Sequence, residues 1–453
     1  MNSNILLFVV FYLIMTGMYL GMQLIVYKLY QHWVRYSFSS RRARRSAWWA
    51  GAAILFVGNL LFLPRFFFIL SDDLHNSSFV QEFIVEPGGI FFASLVFLTG
   101  VGILFFLYKG VRYLLHKISA RSTAKLAAQA EAQQAAAATE SRSTEARPKT
   151  EKPTTRSGGE LLSPISRRRF IRTAGVLTIG APFIMTSGLS ASTHRNYVLT
   201  RQTLHFPQLP SGLEGLRLVH VSDLHSGIFM NKQQIQEIYE IINSLDPNLI
   251  AITGDFADNH VSEIPNVRDT IAMLKSDYGV FGCPGNHDHY ASIDALVGAL
   301  DDKPIDLLQN QTTNFKINAE KVSILGIDDP GLGARNYADF DGTYAKADPE
   351  SFKILLSHRP HMFDTAHEHN VDLTLAGHTH GGQIGTSIAG IELYPIDLFH
   401  DYPRGHFRKG NHHLYVNVGV GLVAAPIRLV RPEITELTFT SDASKARRII
   451  TDA

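Results

Sequence analysis

Apolar positions follow two rhythms along this chain, and the change of rhythm divides it. Residues 5–27 form an uncharged run of about 23 positions, and further apolar runs cover 47–63 and 87–108. At about 1.5 Å per residue, runs of this length approach or exceed the roughly 30 Å of a hydrocarbon core, so three membrane spans are predicted within 1–120. Beyond residue 216 the apolar runs shorten and alternate with amphipathic stretches. Strands are predicted at 216–222, 249–253 and 279–283 and helices at 232–245 and 266–275, a βαβαβ beginning. Further strands are expected near 313–318, 321–327, 352–357, 371–376, 412–418 and 433–440. Several lie too close together for intervening helices, which implies a mixed α/β fold with more than one sheet.

Between the two regions the pattern fades. Residues 121–165 are rich in Ala, Gln, Ser, Thr and charge and poor in large apolar side chains. Such a segment buries too little surface to offset its ordering entropy, so it is read as a cytoplasmic linker, with 124–139 Ala-rich enough for a helix. It ends in Ser166-Arg167-Arg168-Arg169-Phe170-Ile171-Arg172, followed by an uncharged stretch at 173–193. This resembles a twin-arginine export signal, which makes the twin-arginine translocase a candidate partner. A fourth span with a basic flank, or a hydrophobic helix docked on the following domain, fits the same residues. Residues 194–453 then form the catalytic domain.

Charge adds an orientation. Lys28, Arg35, Arg41, Arg42, Arg44 and Arg45 lie between the first two runs, and Asp72, Asp73, Glu82 and Glu86 between the second and third. The positive-inside bias therefore puts the first loop in the cytoplasm. A multi-pass protein of the cytoplasmic membrane follows, with its last domain on the extracytoplasmic (periplasmic) side. Over all 453 residues, 42 Lys and Arg against 41 Asp and Glu argue against a chain built to coat nucleic acid. The single cysteine, Cys283, excludes an intrachain disulfide and a cysteine-held metal.

Candidate chemistry sits where the strand-like runs end. Asp223-x-His225, Gly254-Asp255, Gly285-Asn286-His287-Asp288, Ser357-His358 and Gly377-His378-Thr379-His380 each occupy such a loop, the position where α/β folds gather ligands. Asp223 and His225 are two apart, so on extended backbone they face the same way and share a cation. Gly254 lets backbone and metal approach closely. Asp, Asn and His donors without thiolate suit two divalent ions of the Mn, Fe or Zn type better than calcium. His287 stands beside a ligand and is able to protonate a leaving alcohol. Asp258 extends a Gly-Asp-x-x-Asp pattern and is expected to brace the site. Arg359 is read as either a phosphate contact or a surface salt bridge, and His289, His400, His406 and Tyr290 as candidates for the substrate mouth.

These segments resemble the calcineurin-like metallophosphoesterase superfamily, and the run 377–383 with 414–421 and Pro426-Ile427-Arg428 is similar to its membrane-associated, twin-arginine-exported bacterial branch. The resemblance covers about 214–440. It implies a four-layer α/β/β/α sandwich, here preceded by a helical transmembrane region. It also implies one metal held by Asp223, His225, Asp255 and His380 and the other by Asp255, Asn286, His358 and His378, with His287 catalytic and Asp288 orienting it. The expected reaction is hydrolysis of a phosphoester or pyrophosphate, phosphodiester or phosphomonoester, by in-line attack of a hydroxide bridging the metals. A lipid-linked or envelope substrate is favoured by the membrane setting. The alternatives are a nucleotide phosphodiesterase and a membrane sensor that binds metal or phospholipid without turnover.

Overall fold

The computed structural model describes residues 3–62, 86–140, 196–331, 336–383, 385–388, 391–423 and 428–453. Two compact units are present. The expected signal-like segment 166–193 and the acidic loop 63–85 lie outside the described residues.

Three long helices occupy the amino-terminal region: α1 (Ser3–Ser37), α2 (Arg41–Phe62) and α3 (Glu86–Glu140). Each expected span overlaps one of them. Among the described residues one stretch, Ile90–Lys117 in α3, is long and apolar enough to cross a membrane by length and composition. The Ala-rich start of the expected linker continues α3 to Glu140; Ala, Gln, Glu and Lys there are all strong helix formers.

The carboxy-terminal region is a mixed α/β body with a seven-stranded sheet and a six-stranded sheet. It starts with β1 (Val198–His205), β2 (Arg217–Val221), α4 (Lys232–Ser244), β3 (Leu249–Thr253), α5 (Ile264–Thr270) and β4 (Val280–Cys283). Two short helices follow, α6 (Asn286–Ala291) and α7 (Ile293–Leu300), then β5 (Asp306–Leu307), β6 (Gln311–Ile317) and β7 (Glu320–Gly326). After α8 (Phe340–Tyr344) come β8 (Phe352–Leu356), α9 (Phe363–Glu368), β9 (Leu373–Ala376) and the hairpin β10 (Thr386–Ile388) and β11 (Ile391–Leu393). The chain closes with β12 (Gly405–Lys409), β13 (His412–Val416), β14 (Glu433–Thr440) and β15 (Arg447–Asp452).

The first sheet runs β15-β1-β14-β2-β3-β4-β5 and the second β12-β13-β9-β8-β7-β6. β2, β3, β4 and β5 are parallel, as are β7, β8, β9 and β13. Side-chain alternation along a strand sorts residues into different cores. On β3, Leu249 and Ala251 join a buried cluster that also takes Ile354, Leu356, Leu373 and Leu375 from the second sheet. Ile250 and Ile252 on the opposite face pack with Ile235, Ile238, Tyr239 and Ile242 of α4. The i, i+3, i+4, i+7 spacing of those four is what makes α4 a helix with one apolar stripe. Asn231 and Gln234 close its first turn as a reciprocal capping box, worth about 1 kcal/mol. In both sheets, the parallel strands therefore end at the loops that carry the chemistry.

Candidate metal centre

Asp223 and His225 follow β2, Asp255 and Asp258 follow β3, Asn286, His287 and Asp288 follow β4, His358 follows β8, and His378 and His380 follow β9. Adjacent loops lace together through backbone bonds, Asp223 N to Gly254 O at 3.1 Å, His225 N to Asp255 O at 2.9 Å and Ser226 N to Phe256 O at 2.9 Å. Asp223 and His225 are not on extended backbone as expected from sequence. Their φ angles are 54° and 45°, and Asp255, His378 and His380 also have positive φ, at 54°, 71° and 50°. Left-handed backbone disfavours residues with a Cβ. Five such residues at one place are held by the lacing of neighbouring loops, which turns each donor inward after its strand has ended. Glycines give the room: a Cβ on Gly377 would collide with Ser222 Oγ and Asp223 Oδ2, and one on Gly285 with Asp255 Oδ1.

Three overlapping groups of donors result among the described residues: Asp223 with His225 and His380, Asp255 with His358 and His378, and, sharing members with both, His225 with Asp255 and His287. In the first, His380 Nε2 lies 3.2 Å from Asp223 Oδ1 and 3.0 Å from His225 Nε2. In the second, His358 Nε2 lies 3.1 Å from Asp255 Oδ2 and 3.2 Å from His378 Nδ1. Asp255 joins the two, since its Oδ2 is also 3.5 Å from His225 Nε2. Asp223, His225, Asp255, His358 and His380 are all at most 5% exposed. The two ligand-type imidazoles with the clearest roles are oriented from behind, as metal-binding histidines usually are. His358 Nδ1 donates to Thr253 O at 2.8 Å and His225 Nδ1 to Asp258 Oδ1 at 3.1 Å, which leaves each Nε2 facing the cluster.

Electrostatics tests whether cations fit. Against the cost of burial, the Asp258 hydrogen bond and the charge of Asp255 lift His225 to about 9, and Asp255 lifts His358 to about 10. Burial together with the charges of His358 and Arg359 drives His378 down to about 2. Burial also lowers His380, so imidazoles 3.0–3.2 Å apart are pushed in opposite directions around two buried carboxylates. His380 Nδ1 is buried without a hydrogen-bond partner. Divalent cations would offset the two buried carboxylates and take the imidazole nitrogens that face them, so the donor set fits such ions.

Around this cluster several contacts differ from those expected from sequence. Asp288 was expected to orient His287, but its carboxylate accepts from Gly285 N at 2.8 Å and Ala257 N at 3.1 Å. It is fully buried, and burial with the charge of Asp255 raises it to about 7. The ring of His287 is held by Asp258 instead: Nδ1 donates to the Asp258 carbonyl, with Asp258 Oδ1 3.6 Å away. The physical reason is helical geometry, because α6 starts at Asn286 and its first turn folds Asp288 back onto its own N-terminus. His287 N also donates to Asp255 Oδ1 at 2.8 Å.

Arg359 is no surface salt bridge. It is held by Asp329 at 2.6 Å and reaches His378 Nε2 at 2.9 Å and Asn286 Oδ1 at 3.3 Å. Asn286, Arg359 and Asp329 join His289, Tyr290 and Tyr337 around a cleft of about 530 Å³. His289 pairs with Asp328 at 2.7 Å and stacks on Tyr337 with centroids 4.2 Å apart. His406 lies elsewhere, stacked on His413. Asp328 and Asp329 were not found from sequence, although they too end an apolar strand, β7. Arg428, which the sequence singles out without a role, is buried, and its guanidinium donates to Val430 O, Gly421 O and Val418 O under the loop that contacts Asp223.

Parallel strands ending in joined carboxylate–imidazole clusters that could hold metal ions fit a class, the metal-dependent hydrolases. Residues 216–382 match the model of the calcineurin-like phosphoesterase family. The chain is 30% identical over 301 residues to the uncharacterized metallophosphoesterase YkuE of Bacillus subtilis, covering 62% of this chain and 99% of that protein. It is 30% identical over 252 residues to a transmembrane protein with metallophosphoesterase domain of Danio rerio, of which it spans 55%. An uncharacterized metallophosphoesterase of Aquifex aeolicus is 27% identical over 235 residues, 51% of this chain and 87% of that one. The chain belongs to the calcineurin-like metallophosphoesterase family and is a metal-dependent phosphoesterase.

Proposed function

We propose that this protein is a membrane-anchored phosphohydrolase that cleaves phosphoesters or pyrophosphates of lipid-linked or envelope molecules, with its catalytic domain outside the cytoplasmic membrane. One metal is assigned to Asp223, His225, Asp255 and His380, the other to Asp255, Asn286, His358 and His378, at the loop ends of a four-layer α/β/β/α sandwich. The observation that carries the site assignment is the joining of the two clusters through Asp255, whose Oδ2 lies 3.5 Å from His225 Nε2 and 3.1 Å from His358 Nε2. Residues of both sheets in one buried cluster, with helices packed on another face of the first, support the layer order. The apolar helix Ile90–Lys117 and the printed name of the Danio rerio relative support the anchor. Multiple spans and the twin-arginine route rest on the residues of the sequence alone.

Two divalent ions, when bound, supply charge that polarises the phosphoryl oxygens and acidifies a water for in-line attack. His287 stands at the rim, 18% exposed, with its Nδ1 proton committed to the Asp258 carbonyl. Its Nε2 is thereby left to hold and release the proton that the departing alkoxide requires. Asp258 positions both this ring and that of His225. Arg359, fixed by Asp329, offers its guanidinium at the edge of the Asn286 cleft, where a phosphate oxygen not engaged by metal fits its fork. Tyr290 and Tyr337 in the same cleft are 52% and 47% exposed and present flat faces to a leaving group. That feature favours nucleotide phosphodiesters as a second reading.

The test uses the full chain in detergent with manganese and two diesters, one with a p-nitrophenol and one with an alkyl leaving group. His287→Ala should keep both metals and lose about 10²–10⁴-fold more rate on the alkyl ester than on the aryl ester. Equal losses on the two esters remove His287 from the acid role, and no hydrolysis by the metal-loaded parent removes the assignment of the substrate class.

A further inference from the structure

On the surface of the carboxy-terminal region, large apolar side chains are mostly about half covered; Ile450, Tyr290 and Tyr337 are 55%, 52% and 47% exposed. Leu398 and Phe399 depart from this at 83% and 79%, more than any other large apolar side chain described in the chain. They are consecutive and sit at the end of a short 3-10 turn, Pro395–Leu398. The turn is held closed by Asp397 N to Tyr394 O at 3.0 Å and by Phe399 N to Ile396 O at 3.0 Å. It packs on the loop that carries His380: Ile396 Cβ lies 2.9 Å from where a Cβ on Gly382 would be, two residues beyond His380.

Beside the turn lies a second cleft of about 510 Å³, whose lining includes Arg404, Arg431 and Arg448 with Asp397 and Glu433. Arg404 stacks its guanidinium 3.4 Å from the Tyr394 ring centroid and pairs with Asp397, and Arg431 pairs with Asp452 at 2.6 Å, so Arg448 is the arginine of the cleft to which no such ion pair is assigned among the described residues. Apolar side chains held outward next to arginines are the arrangement that seats in a membrane interface, with rings and alkyl groups at the acyl boundary and guanidinium groups among anionic headgroups. A protein partner is a poorer match. A convex tip of two residues is far below the roughly 800 Å² per partner of a stable protein interface, whereas a bilayer needs no complementary shape.

We propose that the Leu398–Phe399 turn and the adjoining arginine cleft form a membrane-docking site for a bilayer surface rich in anionic headgroups. It holds the metal centre at that surface, so the substrates it favours are phosphoesters lying in the headgroup layer. The proposal rests on the membrane reading given above for the supply of that surface.

The buried thiol of Cys283 leaves the chain free for labelling at a new cysteine. Phe399→Cys and, as control, Lys316→Cys on β6 are coupled to an environment-sensitive fluorophore in the full chain. They are mixed with vesicles of phosphatidylglycerol and phosphatidylethanolamine or of phosphatidylcholine alone. The label at 399 should shift to the blue and lose severalfold in quenching by acrylamide on the anionic vesicles, with the label at 316 unchanged. Leu398→Cys should behave as 399 does, and Arg448→Glu should weaken the shielding at 399. A label at 399 that acrylamide reaches as readily as the one at 316 overturns the docking site. Equal shielding on both vesicle types overturns its headgroup part. Flotation of the same samples reports the anchor separately: a chain that floats with 399 in water keeps the anchor and loses the docking site. A chain that does not float loses the anchor, while its 399 label on added vesicles still decides the docking site.

Discussion

Asp258→Ala removes one carboxylate, leaves every assigned metal ligand in place, and should weaken metal binding all the same. The side chain is 14% exposed, and its Oδ1 accepts from His225 Nδ1 at 3.1 Å, the bond that turns His225 Nε2 toward Asp223 and Asp255. A hydrogen bond to a charged group of this kind is worth about 1.5–3 kcal/mol. At about 1.4 kcal/mol per decade, the metal affinity of the Asp223 side of the centre should fall roughly tenfold to hundredfold. Asp258→Asn keeps an oxygen for His225 and loses the charge, so about half of that free energy should remain. The Asp258 carbonyl that holds His287 survives in both variants. Turnover at saturating metal should therefore drop less than in His287→Ala. The assay is a manganese titration of diester hydrolysis by the full chain, with bound metal counted by mass spectrometry. Unchanged metal affinity in Asp258→Ala refutes the positioning role, and so does a loss confined to turnover.

Three further outcomes follow from particular contacts. Asp288→Asn places an amide against one of two buried backbone donors, Gly285 N or Ala257 N, and should cost about 1–3 kcal/mol of stability. Calorimetry should then show a lower Tm, with the aryl-to-alkyl rate ratio kept; a changed ratio with unchanged Tm returns the orienting role to Asp288. Gly377→Ala drives a Cβ into Ser222 Oγ and Asp223 Oδ2, and equilibrium dialysis should show at least one metal lost per chain. Burial and neighbouring charge hold His406 down to about 4 and His413 down to about 3. Both lie below the ordinary 6.5, so the unfolded chain takes up these protons first. Their contribution to stability is present above pH 6.5 and lost as pH falls through about 4. Urea unfolding should show this loss reduced in His406→Phe, and an unchanged pH slope would count against it.

Much of this protein is written in local pattern. Strand length, helical spacing and the Asp, Asn and His residues at strand ends depend on neighbours in the chain, so β3, β14 and α4 are legible in the order of residues. The donor types for two cations are legible as well, because each stands next to the apolar run that delivers it. Tertiary structure decided the rest. β1, which the pattern of residues does not predict, is a strand paired on one side with β14 and on the other with β15. The inward turn of Asp223 and His225 comes with the lacing of the loops after β2 and β3, which holds a left-handed backbone that local preference opposes. Asp258 rather than Asp288 holds His287, since a short helix folds the nearer acid away and a neighbouring loop brings the farther one in. The sequence alone determined which chemical groups are present and on which elements, because those are local properties. Which group touches which was decided only by the packing of two sheets, since hydrogen bonds between loops far apart in the chain leave no periodic trace along it.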